Sequence, residues 1–144
     1  MIRKTLIWLL ATVLLATVSL AHGQQQPKIP KIGVLRGQAV STPVASHELL
    51  LRAFREFGYI EGKNIAFETR SAEGKLDRYS ALADELVHVK VDVLVASSTS
   101  AALAAKNAAR TIPIVFLNVS DPVASGLVDS LARPGGNITG IRQH

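Results

Sequence analysis

The sequence predicts an α/β domain built on a doubly wound parallel sheet, and three observations carry that prediction. Compact apolar runs at 32–35, 91–96 and 112–117 have the character of strands covered on both faces. Between them lie stretches whose apolar residues recur at helical spacing. The two patterns alternate strictly, which requires right-handed crossovers, a parallel sheet and helices on both of its faces.

Taken in order, Pro27 to Pro30 is an extended lead-in, and Ile32-Gly33-Val34-Leu35 is the first strand. From Ser46 the pattern turns helical: Ala45, Leu49, Leu50, Ala53, Phe54 and Phe57 recur at three- and four-residue steps, and Gly58 is the natural stop. Glu61 to Asn64 reads as a turn, and Ile65 to Arg70 alternates apolar and polar residues as a less buried, edge-near strand does. Asp77 can cap a second helix whose stripe is Tyr79, Leu82, Ala83, Leu86 and Val87.

Val91 to Ala96 is the third strand, followed by the hydroxyl cluster Ser97 to Ser100 and an alanine-rich helix from Ala101 to Ala109. Ile112 to Leu117 is the fourth, with Pro113 at its mouth where no ladder donor is needed. Asp121-Pro122 has the form of a helix start, an N-cap carboxylate before a first-position proline, and that helix is expected to reach about Leu131 before Arg133-Pro134-Gly135-Gly136 stops it. Ile138 and Ile141 suggest a fifth strand.

The chain has 144 residues, 48% of them apolar and 19% charged, which suits one domain and is too apolar for a disordered tail. Cysteine is absent, so disulfides, thiolate zinc sites and a cysteine nucleophile are excluded. Much of the apolar excess lies between Leu6 and Leu20, after Arg3 and Lys4 and before Ser19-Leu20-Ala21. That is the layout of a secretory signal peptide over residues 1–21, with a second cleavage position after Gly23. A membrane span is the competing reading, but such a run at ~1.5 Å per residue falls short of the ~30 Å hydrocarbon core. Residues 22–30 then form the lead-in and residues 31–144 the folded domain, with periplasmic export as the expectation.

The net charge of +5 loses Arg3 and Lys4 on cleavage, and the remaining basic residues are scattered among few aromatics, so no nucleic-acid surface is expected. In parallel sheets of this kind, ligands bind beyond the carboxyl ends of the strands, where strand order reverses. Three loops reach that edge: 36–46, 97–100 and 118–122. Ser97, Ser98, Thr99 and Ser100 sit where a strand hands over to a helix, so free backbone N–H groups can hold a carboxylate there, while Thr99 or Ser100 caps the helix. Asn118, Ser120 and Asp121 repeat the arrangement, with Asp121 better suited to capping and Asn118 to contact, since its amide both donates and accepts. Gln38, Thr42 and His47 belong to the first loop, where a solvated loop accounts for them as well as ligand contact does.

Several motifs are excluded on spacing or context. The stretch from Gly58 to Lys63 is one residue short of a phosphate loop and precedes a strand, and Gly135 to Gly140 lacks dinucleotide spacing and follows a helix. No cofactor is therefore expected. The four histidines are too dispersed for metal ligation, and no nucleophile elbow is present, so no enzyme chemistry is expected.

Glu61-Gly62-Lys63-Asn64, Ala72-Glu73-Gly74, Val91-Asp92-Val93-Leu94-Val95, Ile112-Pro113-Ile114-Val115-Phe116, Ser120-Asp121-Pro122, Gly126-Leu127-Val128 and Arg133 to Gly140 together resemble the solute-binding components of ABC importers of the tryptophan/tyrosine-type substrate-binding family. The resemblance runs from Ile32 to Gly140 and implies the amino-terminal lobe of a type I periplasmic-binding-protein-like fold. It also implies a small-molecule solute such as an amino acid, trapped between two lobes, an ABC permease as membrane partner, and a monomer when full length. The chain stops at Gln143-His144, where the family's polypeptide would cross into its second lobe, so it reads as a truncated first lobe. Many relatives resemble a Gly-Thr-Pro turn where this chain has Ser97 to Ser100. The rival readings are a ligand-sensing extracytoplasmic domain of a signalling protein and an exported α/β enzyme.

Overall fold

A computed structural model describes residues 3–5, 27–39, 41, 45–130, 132 and 135–142. Most of the expected signal peptide lies outside the described residues, as do Thr42, Leu131, Arg133 and Pro134. Among the described residues no helix is long and apolar enough to cross a membrane.

The described residues form one all-parallel sheet from β1 (Lys31–Arg36), β2 (Ala66–Ser71), β3 (Val93–Ala96), β4 (Ile114–Val119) and β5 (Ile138–Arg142), in the order β2-β1-β3-β4-β5. The order reverses between β1 and β3, because the chain first steps outward to β2 and then returns past β1. Helix α1 (Ala45–Glu56) accordingly lies on one face, and α2 (Tyr79–His88) and α3 (Thr99–Ala108) lie on the other. The α/β alternation and the doubly wound sheet read from the sequence are both present.

Strand parity decides which side chain meets which face. Leu35, Leu94 and Ala96, with Ile114 and Phe116, face α2 and α3 and form the larger core with Leu82, Ala83, Leu86, Ala101, Ala102 and Ala105. Alanines on α3 let that helix approach the sheet closely. Ile32, Val34 and Val95 face the other way, where Leu50 and Phe54 of α1 meet them together with Ile65 and Phe67. Phe54 packs edge-to-face on Phe67 at 5.6 Å and on Tyr59 at 5.7 Å. The expected stripe of α1 is only half used: Leu49 and Phe57 are 63% and 82% exposed, while Leu50 and Phe54 are partly buried. The packing face runs through His47, Leu50, Leu51 and Phe54, one residue step around from the stripe read by periodicity. Ile141 of β5 is also exposed.

Two capping expectations are overturned. Asp77 does not cap α2; it lies inside a 3₁₀ turn, Leu76–Arg78, that runs directly into the helix, whose N-cap position is Arg78 with no side-chain cap. Ser98, not Thr99 or Ser100, caps α3, its Oγ accepting the Ala101 N–H at 3.2 Å.

The helix expected after Asp121-Pro122 is a run of turns. Asp121 Oδ1 does accept the Ala124 N–H at 2.9 Å, and Ser125 N–H reaches the Asp121 carbonyl, so helical bonding begins. Gly126 at φ +72 then breaks it, and the N–H groups of Leu127 and Val128 both turn back to the Pro122 carbonyl. The gain is burial: Leu127, Val128 and Pro122 close the end of the larger core.

Candidate functional site

A cavity of about 310 Å³ opens at the carboxyl edge of the sheet, on the α1 face, where strand order reverses. Its size falls in the usual range for small-molecule sites. Val34 and Arg36 of β1, Val95 of β3 and Leu117 of β4 share the face that alternation assigns to α1, and His47 and Leu50 form the opposite wall. Gly37, Gln38, Ser97, Ser98 and Asn118 complete the lining. Among the described residues the wall holds no Asp or Glu, and no group of His, Asp and Glu side chains could hold a metal ion.

Backbone ties fix the edge. Ser97 N–H donates to the Leu35 carbonyl at 3.1 Å, and Ser97 Oγ donates to the same carbonyl, which locks the end of β3 to β1. The Ala72 N–H donates to the Arg36 carbonyl at 3.0 Å and the Gly74 N–H to the Gly37 carbonyl at 2.9 Å, while Ser71 Oγ donates to the Gln38 carbonyl. The Ala72-Glu73-Gly74 segment therefore holds the loop after β1, with Glu73 and Gly74 both at positive φ. The Tyr79 hydroxyl lies 3.4 Å from Ser98 Oγ, linking α2 to the start of α3.

Of the residues singled out in the sequence, Gln38, His47, Ser97, Ser98 and Asn118 line the cavity, His47 from within α1 and not from the loop before it. Thr99, Ser100, Ser120 and Asp121 do not: the first two are already within α3, and Asp121 is occupied in its turn. Asn118 stands at φ +57 where β4 slips register against β5 between Phe116 and Val119, so an irregularity brings it to the rim. His47 is in the wall, its ring 6.4 Å from that of Phe67, and its Nδ1 is buried without a hydrogen-bond partner among the described residues.

Arg36 was not singled out by motif. It is 4% exposed, and its Nη2 donates to the Ala39 carbonyl. The signal was available in the strand itself, since Ile32, Val34 and Arg36 share one parity and a cation on a strand buried on both faces is anomalous.

A parallel sheet of this order with a ligand-sized cavity at its reversal point is shared by several doubly wound folds, and the likeness to solved substrate-binding proteins places this one as a lobe of the periplasmic-binding-protein-like class. The chain belongs to the family described as ABC transporter substrate binding protein, which matches residues 32–144. It is 40% identical over 94 residues to a tyrosine-binding protein of Clostridioides difficile (strain R20291), covering 65% of this chain and 27% of that protein. It is similar to the ligand-free, open structure of a substrate binding protein with adhesive properties from Clostridium difficile, with TM-score 0.74 and 33% identity over 79% of this chain and 39% of that one. It is also similar to an ABC domain from Streptococcus pneumonia in complex with L-Trp, with TM-score 0.69 and 27% identity over 81% of this chain and 39% of that one. The chain thus spans about a quarter to two fifths of the length of these relatives.

Proposed function

We propose that the chain supplies the first lobe of an extracytoplasmic solute-binding component of an ABC importer, and that its solute is an amino acid with an aromatic side chain. The observation that carries this reading is the cavity at the strand-order reversal, walled by Val34, Leu50, Val95 and Leu117 and ringed by Gln38, Ser97, Ser98 and Asn118. Family membership supports the binding role, and the tyrosine-binding relative and the neighbour holding L-Trp support the solute class. The polar ring faces the head group, and a second lobe encloses the side chain. Residues 1–21 act as a cleaved export signal that delivers the protein to the compartment where the permease collects its solute.

Two measurements test the reading. Expression in a Gram-negative host should give a periplasmic product beginning at His22 or Gln24; a product retaining Trp8 in the cytoplasm overturns the export role. L-Tyrosine or L-tryptophan added to the labelled chain should shift the amide resonances of Gln38, Ser97, Ser98 and Asn118. Binding by a single lobe is weak, so the titration extends to millimolar solute, and unmoved resonances there overturn the solute assignment.

A further inference from the structure

The edge of the sheet opposite the cavity carries a corner of exposed apolar side chains. Helix α1 runs back along the sheet, so its end and the turn into β2 stand beside the starts of the strands. There Phe57 is 82% exposed, Ile60 48% and Tyr59 41%. The turn that presents them is fixed. Asn64 Oδ1 accepts the Ile60 N–H at 2.6 Å, Asn64 Nδ2 donates to the Gly58 carbonyl at 2.9 Å, and the Tyr59 ring packs on Phe54. Between the turn, α1 and β2 a cavity of about 190 Å³ is lined by Phe54, Tyr59, Ile60 and Phe67, with Arg55 and Glu61. Apolar side chains grouped and held out in this way mark a contact surface.

Charge and chain path together say what meets it. In the connections that make up this edge, Lys28, Lys63, Lys90 and Arg110 stand exposed against Glu61 and Asp92, while Arg55 and Glu56 in the last turn of α1 offset one another. The edge is therefore basic. The chain also enters the domain here, since the Ala66 N–H donates to the Pro30 carbonyl at 2.9 Å and lays the lead-in against the start of β2. Residues 22–26 separate that lead-in from the apolar run that the export reading places in the membrane, a reach of about 18 Å at full stretch. This edge is the one that the leader holds nearest the bilayer.

We propose that the amino edge of the sheet seats the domain on an anionic phospholipid surface, with Phe57 and Ile60 entering the headgroup layer and Lys28, Lys63 and Lys90 meeting its phosphates. The proposal goes beyond the solute reading and shares with it only the export of the chain. Apolar side chains flanked by lysines match the two layers of such a surface, and Tyr59, with an apolar ring and a polar hydroxyl, suits the boundary between them. The solute cavity lies at the other edge, so seating leaves it open.

The test mixes the exported product with vesicles of phosphatidylcholine alone and with vesicles containing one third phosphatidylglycerol, and follows sedimentation and backbone amide exchange. The protein should sediment with the anionic vesicles, the amides of residues 57–63 should exchange more slowly there, and added salt should release it. Phe57→Ser should weaken partition about tenfold and Lys63→Gln about fivefold, with melting temperatures unchanged because both side chains are exposed. Amides of residues 57–63 unmoved by anionic vesicles at low salt overturn the proposal, and so does undiminished partition of Phe57→Ser. Equal partition into the two kinds of vesicle overturns the assignment of an anionic surface. Exchange that slows with protein concentration in the absence of vesicles means that a second copy covers the corner, and overturns the lipid assignment too. A product still carrying Trp8 overturns the export reading alone, since the amides of residues 57–63 report the corner itself and decide the proposal with or without the leader.

Discussion

Asp92 accepts the backbone N–H of Lys31 at 2.8 Å through Oδ2, and its own N–H donates to the Lys31 carbonyl at 2.8 Å. This reciprocal pair aligns the starts of β1 and β3, the two strands between which the cavity opens at the other end. Lys28 Nζ adds a contact at 3.0 Å to Oδ1. The Lys31 N–H, and after it Lys28, hold the carboxyl below the usual aspartate range. A depressed folded-state pKa contributes stability that is present in full above the unfolded value and lost as pH falls through the folded value. Both side chains of the ion pair are more than a third exposed, so the charge contributes less than about 1 kcal/mol. Asp92→Asn should therefore lower the melting temperature slightly at neutral pH, with the deficit shrinking in acid as the parent's own carboxyl protonates. Melting curves across the acid range check this; a deficit constant with pH shows that the charge is not involved.

Asn137 opens β5 and donates from Nδ2 to the Ala109 carbonyl at 2.9 Å and the Ile112 carbonyl at 2.7 Å. It thus ties the edge strand to the connection between α3 and β4. Asn137→Ala leaves two partly buried carbonyls without this donor and should cost about 1–3 kcal/mol in urea denaturation. An unchanged midpoint would show that water replaces the amide.

Gly140 lies in β5 against Phe116. A Cβ there would stand 2.2 Å from the Phe116 carbonyl oxygen and 2.5 Å from its ring, whereas one at Gly136 meets nothing within 4 Å. Gly140→Ala should push β5 away from β4, cost about 1–3 kcal/mol and speed amide exchange along β5. Gly136→Ala faces only its φ of +61 and should cost about 1 kcal/mol with no effect on exchange along β5. Equal costs and equal exchange in the two variants would contradict the steric account.

How much of this was legible in the sequence follows from which forces act locally. The strands were legible because a run such as Val93-Leu94-Val95-Ala96 is apolar on both parities, and their parallel direction followed from alternation with helices, whereas their order did not. The stripe of α2 was legible because Tyr79, Leu82, Ala83 and Leu86 are all buried against a sheet that covers them. On α1 the same spacing misled: Leu49 and Phe57 are apolar yet exposed, because the sheet meets that helix along the neighbouring row. The helix expected after Pro122 failed for a related reason, since a cap and a proline announce a start while Gly126, four residues on, ends it. Of the cavity, the hydroxyls and Asn118 could be found from their place at strand ends. Arg36 required strand parity, His47 was named as a loop residue where the structure carries it on α1, and Leu50 required knowing how α1 lies over the sheet.

Asn118 combines a backbone role with a place at the cavity rim, and the two can be separated. At φ +57 an alanine pays a conformational penalty of about 1 kcal/mol that glycine does not. Asn118→Gly should leave the melting temperature near that of the parent, and Asn118→Ala should lower it. Both remove the amide, so both should weaken L-tyrosine binding to the same extent, by up to about 1 kcal/mol because the residue is exposed. Asn118→Asp keeps the shape and tolerates the left-handed backbone, but it sets a negative charge at the rim of a cavity whose fixed charge is the Arg36 cation. If the bound group is a carboxylate, this variant should bind L-tyrosine more weakly than Asn118→Gly does, and the difference should narrow as added salt screens the repulsion. Titrations at low and high salt decide the matter: equal affinities for Asn118→Asp and Asn118→Gly would place the ligand's anion away from β4, and a tighter Asn118→Asp complex would mean that the ammonium group lies at this rim.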